Sequence, residues 1–225
     1  IIEISGATCN VESFGPKIRW IRDNEPEVFK RTKHFTIASG FLTAKLTGKY
    51  CVDRYSAMKA QPMIDVRDMT WSDELCEYVC PKEMLPEIVK TTDIIGTVTK
   101  KASDETGLAE GTPVITGTTD GGAEAVSVGV VESGDTMLMY GSTSFIAHLT
   151  DSLKKDTGLW SGHYVLDDVY TITSGMATTG SLTRWIRDNF AKELMEMENR
   201  GEVNAYTELF KEAENIHAGA DGIIV

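Results

Sequence analysis

An apolar run that ends in a glycine turn, a single carboxylate and two more glycines constrains this chain more than any other segment. In "PVITGTTDGGAEAVSVGV", residues 113–130, Val114 and Ile115 have strand character, and Gly117, Thr118 and Thr119 break it. Asp120 then stands ahead of Gly121, Gly122 and the small apolar residues of a tightly packed helix. A strand passing into a helix is the repeating unit of α/β folds, which place reactive groups at that junction, where glycine lets backbone and ligand approach closely. Asp is also a favoured helix N-cap, and on local sequence alone that reading of Asp120 comes first.

The pattern around this junction changes along the chain. Residues 15–48 read as helical: Ile18, Ile21, Val28, Phe35, Ala38, Phe41, Leu42 and Leu46 recur at three- and four-residue spacings. Two helices are expected to meet near Asn24–Pro26, with Gly48 ending the second. "DRYSAMKAQPMIDVRDMTWSDELCEYVC" mixes turn residues with a short helix begun by Ser72, and the prolines of "PKEMLPEIV" bracket a brief helical turn. This region reads as connecting architecture. From Ile94 strand and helix alternate: "IIGTVT", then "KKASDETGL" closed by Gly107, then "TPVITGT". Beyond Glu132 come β signals in "DTMLMYGSTS", "SFIAHLT" and "VYTITSG". A continuous helix is predicted in "TGSLTRWIRDNFAKELMEM", with Leu182, Trp185, Ile186 and Phe190 on one face, and another in "NAYTELFKEAENI". The closing "GADGIIV" reads as a strand cut short. Two unequal α/β lobes, 1–129 and 130–225, are expected.

At 225 residues and 41% hydrophobic content, the chain can bury a core. A formal charge of −12, with no Lys/Arg run, argues against nucleic acid and acidic membrane surfaces as partners. The apolar stretches are of strand length, and the N-terminus shows no basic segment followed by an apolar one, so a soluble, cytoplasmic chain is expected. Cys9 and Cys51 stand apart, while Cys76 and Cys80 share a helix face at i, i+4, a spacing for buried thiols more than for a metal. His34, His148, His163 and His217 lack metal-ligand spacing, and no zinc site is indicated.

Two further constellations follow Asp120. In "MYGSTSF" a strand ends at Gly141, and Ser142, Thr143 and Ser144 offer N–H groups and hydroxyls in a tight turn, the ingredients of a phosphate cradle or of a plain hairpin. It lacks the second glycine of a nucleophile elbow and is no Walker loop. In "SGMATTGSLTRW" a helix opens near Gly180, where small residues could admit an anion or merely cap the helix.

Taken together, in this order and spacing, these elements resemble the FGGY carbohydrate kinases. The resemblance rests on "PKIRWIRDNEPEVF", "LTGKYCVDRYSAMKAQPMIDVRDMTW", "LPEIVKTTDIIGTVTKKASDETGLAEGTPVITGTTDGGAEAVSVGVVESGDTMLMYGSTS" and "TTGSLTRWIRDNF", and spans essentially the whole chain. It implies an α/β fold of two RNase H-like lobes of the actin/hexokinase type, both incomplete here, the first with a helical insertion. It implies sugar and ATP as small-molecule partners with Mg²⁺, and leaves a homodimer open. Asp120 corresponds to the general base that takes the proton of the attacking sugar hydroxyl. Gly141, Ser142 and Thr143 correspond to the turn near the transferred phosphates, and Gly180 and Arg184 to nucleotide contacts. Asp120 and Gly121 would face the sugar.

The chain departs from the family pattern in places. No strand with an Asp-x-Gly-Thr turn precedes Ile1, and the chain stops before the late glycine-rich adenine element, so it reads as a central fragment that should be inactive alone. At "TDGG", Gly121 stands where typical xylulokinases carry Asn and glycerol kinases Gln. A pentulose such as xylulose is the first expectation, with gluconate, glycerol or another polyol open. A sugar- or nucleotide-binding module without transferase activity is the reading from another class. An aspartic hydrolase would need a second carboxylate turn like that of Asp120.

Overall fold

The computed structural model describes residues 2–154 and 158–223. They divide into two compact units, Ile1–Met137 with Ile146–Ser174, and Leu138–Phe145 with Gly175–Val225.

The first unit opens on helices α1 (Ile2–Ser5), α2 (Phe14–Asn24), α3 (Pro26–Arg31) and α4 (Ala38–Thr47). Pro26 occupies the first helical position of α3, where its missing N–H costs nothing. Gly48 closes α4 with a left-handed φ of 81°. The faces of α3 and α4 differ from the sequence expectation: Val28, Phe41 and Leu42 are exposed, whereas Gly40 and Thr43 are the buried residues of α4. Small residues win there because α4 lies close on the following strand, with the Thr43 hydroxyl 3.7 Å from Cys51 Sγ.

The stretch expected to be connecting holds the core instead. Strand β1 (Cys51–Asp53) runs into the short helix α5 (Arg54–Ala57), followed by strands β2 (Ile64–Asp65) and β3 (Thr70–Trp71), helix α6 (Asp73–Cys76), a 3₁₀ turn at Lys82–Met84 and strand β4 (Glu87–Val89). β1 and β4 pair in parallel with Asp53 opposite Val89, and β2 and β3 pair antiparallel. Strands of two or three residues leave almost no periodic trace, which is why the pattern reads as loop. Met63 and Ile64 are fully buried. Met63 packs with Ile18, Ala60, Cys76, Val79 and Cys80, and Ile64 with Val52, Ala57, Val66 and Met69. Ser72 caps α6 by accepting from the Leu75 N–H, and the free Cys76 and Cys80 thiols are buried as expected.

Next come β5 (Ile94–Thr97), α7 (Lys100–Thr106), β6 (Pro113–Ile115) and α8 (Asp120–Ser127). α7 is capped by the Thr99 hydroxyl and closed by Gly107, and β5 pairs antiparallel with β6. Strands β7 (Thr136–Tyr140), β8 (Ser144–Thr150), β9 (Trp160–His163) and β10 (Tyr170–Met176) form a sheet in the order β7-β8-β10-β9. β9 was not expected, since "WSGH" lacks β-branched residues. It is held by antiparallel pairing with β10, Tyr170 opposite His163.

The second unit carries α9 (Gly180–Phe190), α10 (Lys192–Asn199) and α11 (Ala205–Ala213). The single helix expected over 179–197 is broken at Ala191, whose φ of −118° and ψ of 42° leave the helical region. The break is accompanied by contacts that tie the three helices: Arg187 lies 3.7 Å from the Glu198 carboxylate and stacks over Tyr206 at 4.7 Å. Trp185 and Phe190 pack edge-on against each other and remain exposed, so the expected apolar face of α9 is only partly covered. Ala220–Gly222 form a 3₁₀ turn in place of the expected terminal strand, with Asp221 at a φ of 55° that no extended strand contains. Ile224 and Val225 lie outside the described residues.

Met63 at zero exposure and Val11 at 89% give the core a test. Met63→Ala should lower the unfolding free energy by about 2–5 kcal/mol, whereas Val11→Ala should stay within about 0.5 kcal/mol of the parent. Urea unfolding measures both, and equal effects would misplace the core.

Candidate active site

Asp120 is the first residue of α8, directly after the turn from β6. The helix takes Thr119 as its N-cap, with no side-chain capping bond. Capping therefore does not consume the Asp120 carboxylate in the expected way. Its Oδ1 accepts the Gly121 N–H at 2.8 Å, and the side chain makes no ion pair among the described residues. Exposed and with Oδ2 open, it can accept a proton from a hydroxyl.

A cavity of about 680 Å³ lies within the first unit and reaches this carboxylate. Phe14, Ile18, Phe35, Ile37, Trp71 and Leu85 give it an apolar wall, and Thr118, Thr119 and Asp120 contribute a polar edge. Apolar walls with a few convergent polar groups are the usual form of a small-molecule site. A side chain at position 121 would have room, since a Cβ built there meets only the Tyr55 hydroxyl, at 3.9 Å. At 122 it would have none: a Cβ would stand 2.7 Å from Val165, 2.9 Å from the Thr118 hydroxyl and 3.0 Å from the Tyr55 ring. The first turn of α8 is thus seated directly on Thr118 and Tyr55.

Behind this turn lies Asp53, which sequence reasoning missed. It ends β1, caps α5 and is 1% exposed. Its Oδ2 accepts from the Ser56 N–H at 3.2 Å, the Thr91 hydroxyl at 3.3 Å and the Thr118 hydroxyl at 3.0 Å. Oδ1 has no partner among the described residues. Burial raises the Asp53 carboxyl from its ordinary value, against the opposing pull of its donors. Tyr55 is pushed up to about 12, first by burial and then by Tyr164, Asp53 and Asp120, so its hydroxyl stays protonated at neutral pH. The available signal was "VD" followed three residues on by Ser56, an N-cap pattern that the connecting-loop reading passed over.

The other expected residues fall in the second unit. The Thr179 N–H donates to the Ser142 carbonyl at 2.8 Å, and the Gly180 N–H to the Gly141 carbonyl at 2.9 Å. The Ser181 hydroxyl donates to the Ser142 carbonyl at 3.0 Å. These bonds bring Gly141, Ser142, Thr143 and Gly180 together, and a Cβ at Gly180 would stand 2.6 Å from the Gly141 carbonyl oxygen. The leading amides of α9 are engaged by the turn, so the groups it leaves exposed to a ligand include the Ser142 and Thr143 side chains. Arg184, exposed and one turn into α9, lies 3.6 Å from Asp188. Among the described residues no group of three His, Cys, Asp or Glu side chains could hold a metal ion. No described helix is long and apolar enough to cross a membrane.

Residues 1–127 match the model of the N-terminal domain of the FGGY family of carbohydrate kinases. The chain belongs to that family. It is 27% identical to an autoinducer-2 kinase of Enterobacter sp. (strain 638), over all of this chain and 42% of the relative. It is also 27% identical to a gluconokinase of Bacillus licheniformis, over 92% of the chain and 41% of the relative. The crystal structure of xylulose kinase from Rhodospirillum rubrum superposes with a TM-score of 0.84 at 28% identity, over 99% of this chain and 44% of that one. The α/β carbohydrate-kinase fold expected from the sequence is therefore present, and the chain spans about two fifths of the relatives it matches.

The Asp53 carboxyl has a pH consequence. An unfolded aspartate titrates near pH 3.9, and Asp53 titrates higher when folded. Between those values the folded state holds more protons, so this group lowers stability as pH rises through the window and adds nothing further above it. The melting temperature of Asp53→Asn minus that of the parent should climb from pH 4 upward and then level off. A difference independent of pH would show that Asp53 is not raised.

Proposed function

We propose that this chain is part of an ATP-dependent kinase that phosphorylates a sugar hydroxyl, with Asp120 as the general base. The observation that carries the reading is the Asp120 carboxylate at the β6–α8 junction, at the edge of the cavity, without an ion pair among the described residues and with one oxygen open. Phosphoryl transfer passes through a loose transition state, so positioning and charge stabilisation are most of what a protein adds. One carboxylate suffices to orient the nucleophile and accept its proton. In this role Asp120 Oδ2 takes the proton of the attacking hydroxyl, and the apolar wall excludes water that would compete for the phosphoryl group. ATP supplies that phosphoryl group, its β–γ phosphoanhydride bond breaking as ADP leaves. Gly141, Ser142, Thr143, Gly180 and Arg184 are the residues proposed to hold the nucleotide, with Mg²⁺ arriving on its phosphates, as that ion commonly does.

Residues 1–129 are proposed as the latter part of the sugar-binding lobe and 130–225 as the start of the nucleotide-binding lobe. The match of residues 1–127 to the family's N-terminal domain supports this division. For the sugar, a pentulose such as xylulose is the first choice, supported by the likeness to the Rhodospirillum rubrum xylulose kinase. Gluconate and an autoinducer-2-type substrate are drawn from relatives of nearly equal identity. Gly121 supports a pocket different from those that place an amide at this position, because it leaves open space beside the base.

ATP consumption by the full-length protein with a panel of pentuloses, hexuloses, aldonates and polyols tests the reading. Turnover is expected with at least one of them. Asp120→Asn should lower kcat by about 10²–10⁴-fold while nucleotide affinity stays near that of the parent. Near-normal kcat in the variant would place the base elsewhere.

A further inference from the structure

The turn that delivers Asp120 is not fixed by the usual device at a helix start. Thr119, the N-cap of α8, makes no side-chain capping bond. The backbone bonds just before it are long: Thr116 N–H to the Asp93 carbonyl at 3.3 Å, and Gly117 N–H to the Thr91 carbonyl at 3.3 Å. Gly117 itself sits at a φ of 69°. Within the turn the Asp120 carboxylate is met locally by the Gly121 N–H at 2.8 Å, and the side-chain bond that ties the turn to a distant segment is the one from the Thr118 hydroxyl to Asp53 Oδ2, at 3.0 Å across 65 residues of sequence.

Both sides of that bond are anchored. Asp53 ends a strand paired in register with β4, caps α5, and binds Thr91 just beyond β4. Its position is set by three segments before Thr118 adds a fourth. On the other side, the first turn of α8 rests on the same hydroxyl, because Gly122 leaves no space for even a Cβ between them. Thr118 Oγ1 is clamped between a fixed buried acceptor and the helix turn that begins with Asp120.

We propose that Thr118, held by the buried carboxylate of Asp53, is a positioning residue that sets the direction of the Asp120 carboxylate. The inference rests on Asp120 being the base. Thr118 touches no reacting atom in this role; it acts through the turn. A misplacement of about 1 Å at a reacting group can cost about 10²-fold in rate, so a bond two residues away is close enough to matter.

The test uses full-length protein and three variants. Thr118→Val keeps the shape and removes the hydroxyl. It should lower kcat about 10- to 100-fold with the sugar KM changed less than threefold, at a temperature where the variant is fully folded. Thr118→Ser restores the hydroxyl and should recover most of the lost rate. Asp53→Asn can still present one oxygen to all three donors, and should retain more activity than Thr118→Val. A purely structural role would lower the melting temperature and leave the kcat of folded Thr118→Val unchanged, and that result would overturn the proposal.

Hydrogen exchange reads the same device without catalysis. The Ala123 amide, bonded to the Thr119 carbonyl at 3.0 Å, should exchange at least tenfold faster in Thr118→Val while core amides such as that of Cys80, bonded to the Cys76 carbonyl at 2.9 Å, keep their protection. Unchanged exchange at Ala123 would overturn the positioning role. A parent protein that turns over no sugar, combined with faster exchange at Ala123, would refute the kinase reading and leave the clamp standing.

Discussion

Burying a carboxylate is costly unless donors converge on it. At Asp53 a backbone amide from α5, a hydroxyl from just after β4 and a hydroxyl from the β6–α8 turn all meet one oxygen. These groups are 3, 38 and 65 residues away in sequence. β1, β4 and the turn after β6 therefore come together around a single atom. The other carboxylate oxygen stays unpartnered among the described residues, which is consistent with the upward shift of the carboxyl.

From that anchor the candidate site follows by contact. Thr118 bonds to Asp53, the first turn of α8 rests on Thr118 and Tyr55, and Asp120 opens the helix at the cavity edge. The two carboxylates do opposite things. Asp53 is enclosed, multiply bonded and structural in its chemistry, while Asp120 is exposed and has an oxygen to spare. Environment, not residue type, divides the roles, as in other sites where paired acids differ in burial. In the second unit the same economy appears at Gly141 and Gly180, where a tight turn uses the leading amides of α9 and leaves side-chain hydroxyls outward.

Much of this was legible in the sequence where a local rule decides the outcome. Pro26, Gly48, Ser72 and Gly107 mark helix boundaries through ring geometry, left-handed φ and side-chain caps, and the structure puts boundaries there. The β6–α8 junction was read from its apolar run and glycines. The core between residues 51 and 89 was not, because strands this short carry no period and their burial is decided by neighbours remote in sequence. Asp53 was invisible for the same reason: two of its three donors lie far along the chain. Residues 38–47 misled in the other direction, since a helix can bury glycine and threonine and expose Phe41 and Leu42 when close approach to a strand outweighs apolar area. The break at Ala191 likewise accompanies the tertiary contacts of Arg187, which no helical periodicity records.

The convergence on Asp53 is tested most directly by a double-mutant cycle of Asp53→Ala and Thr118→Val, read as unfolding free energy in urea. If the two side chains hold the turn together, their effects should be coupled by about 1.5–3 kcal/mol, the range for a hydrogen bond to a charged group. Effects that add to within about 0.3 kcal/mol would contradict the account, because the carboxylate and the hydroxyl would then be acting independently.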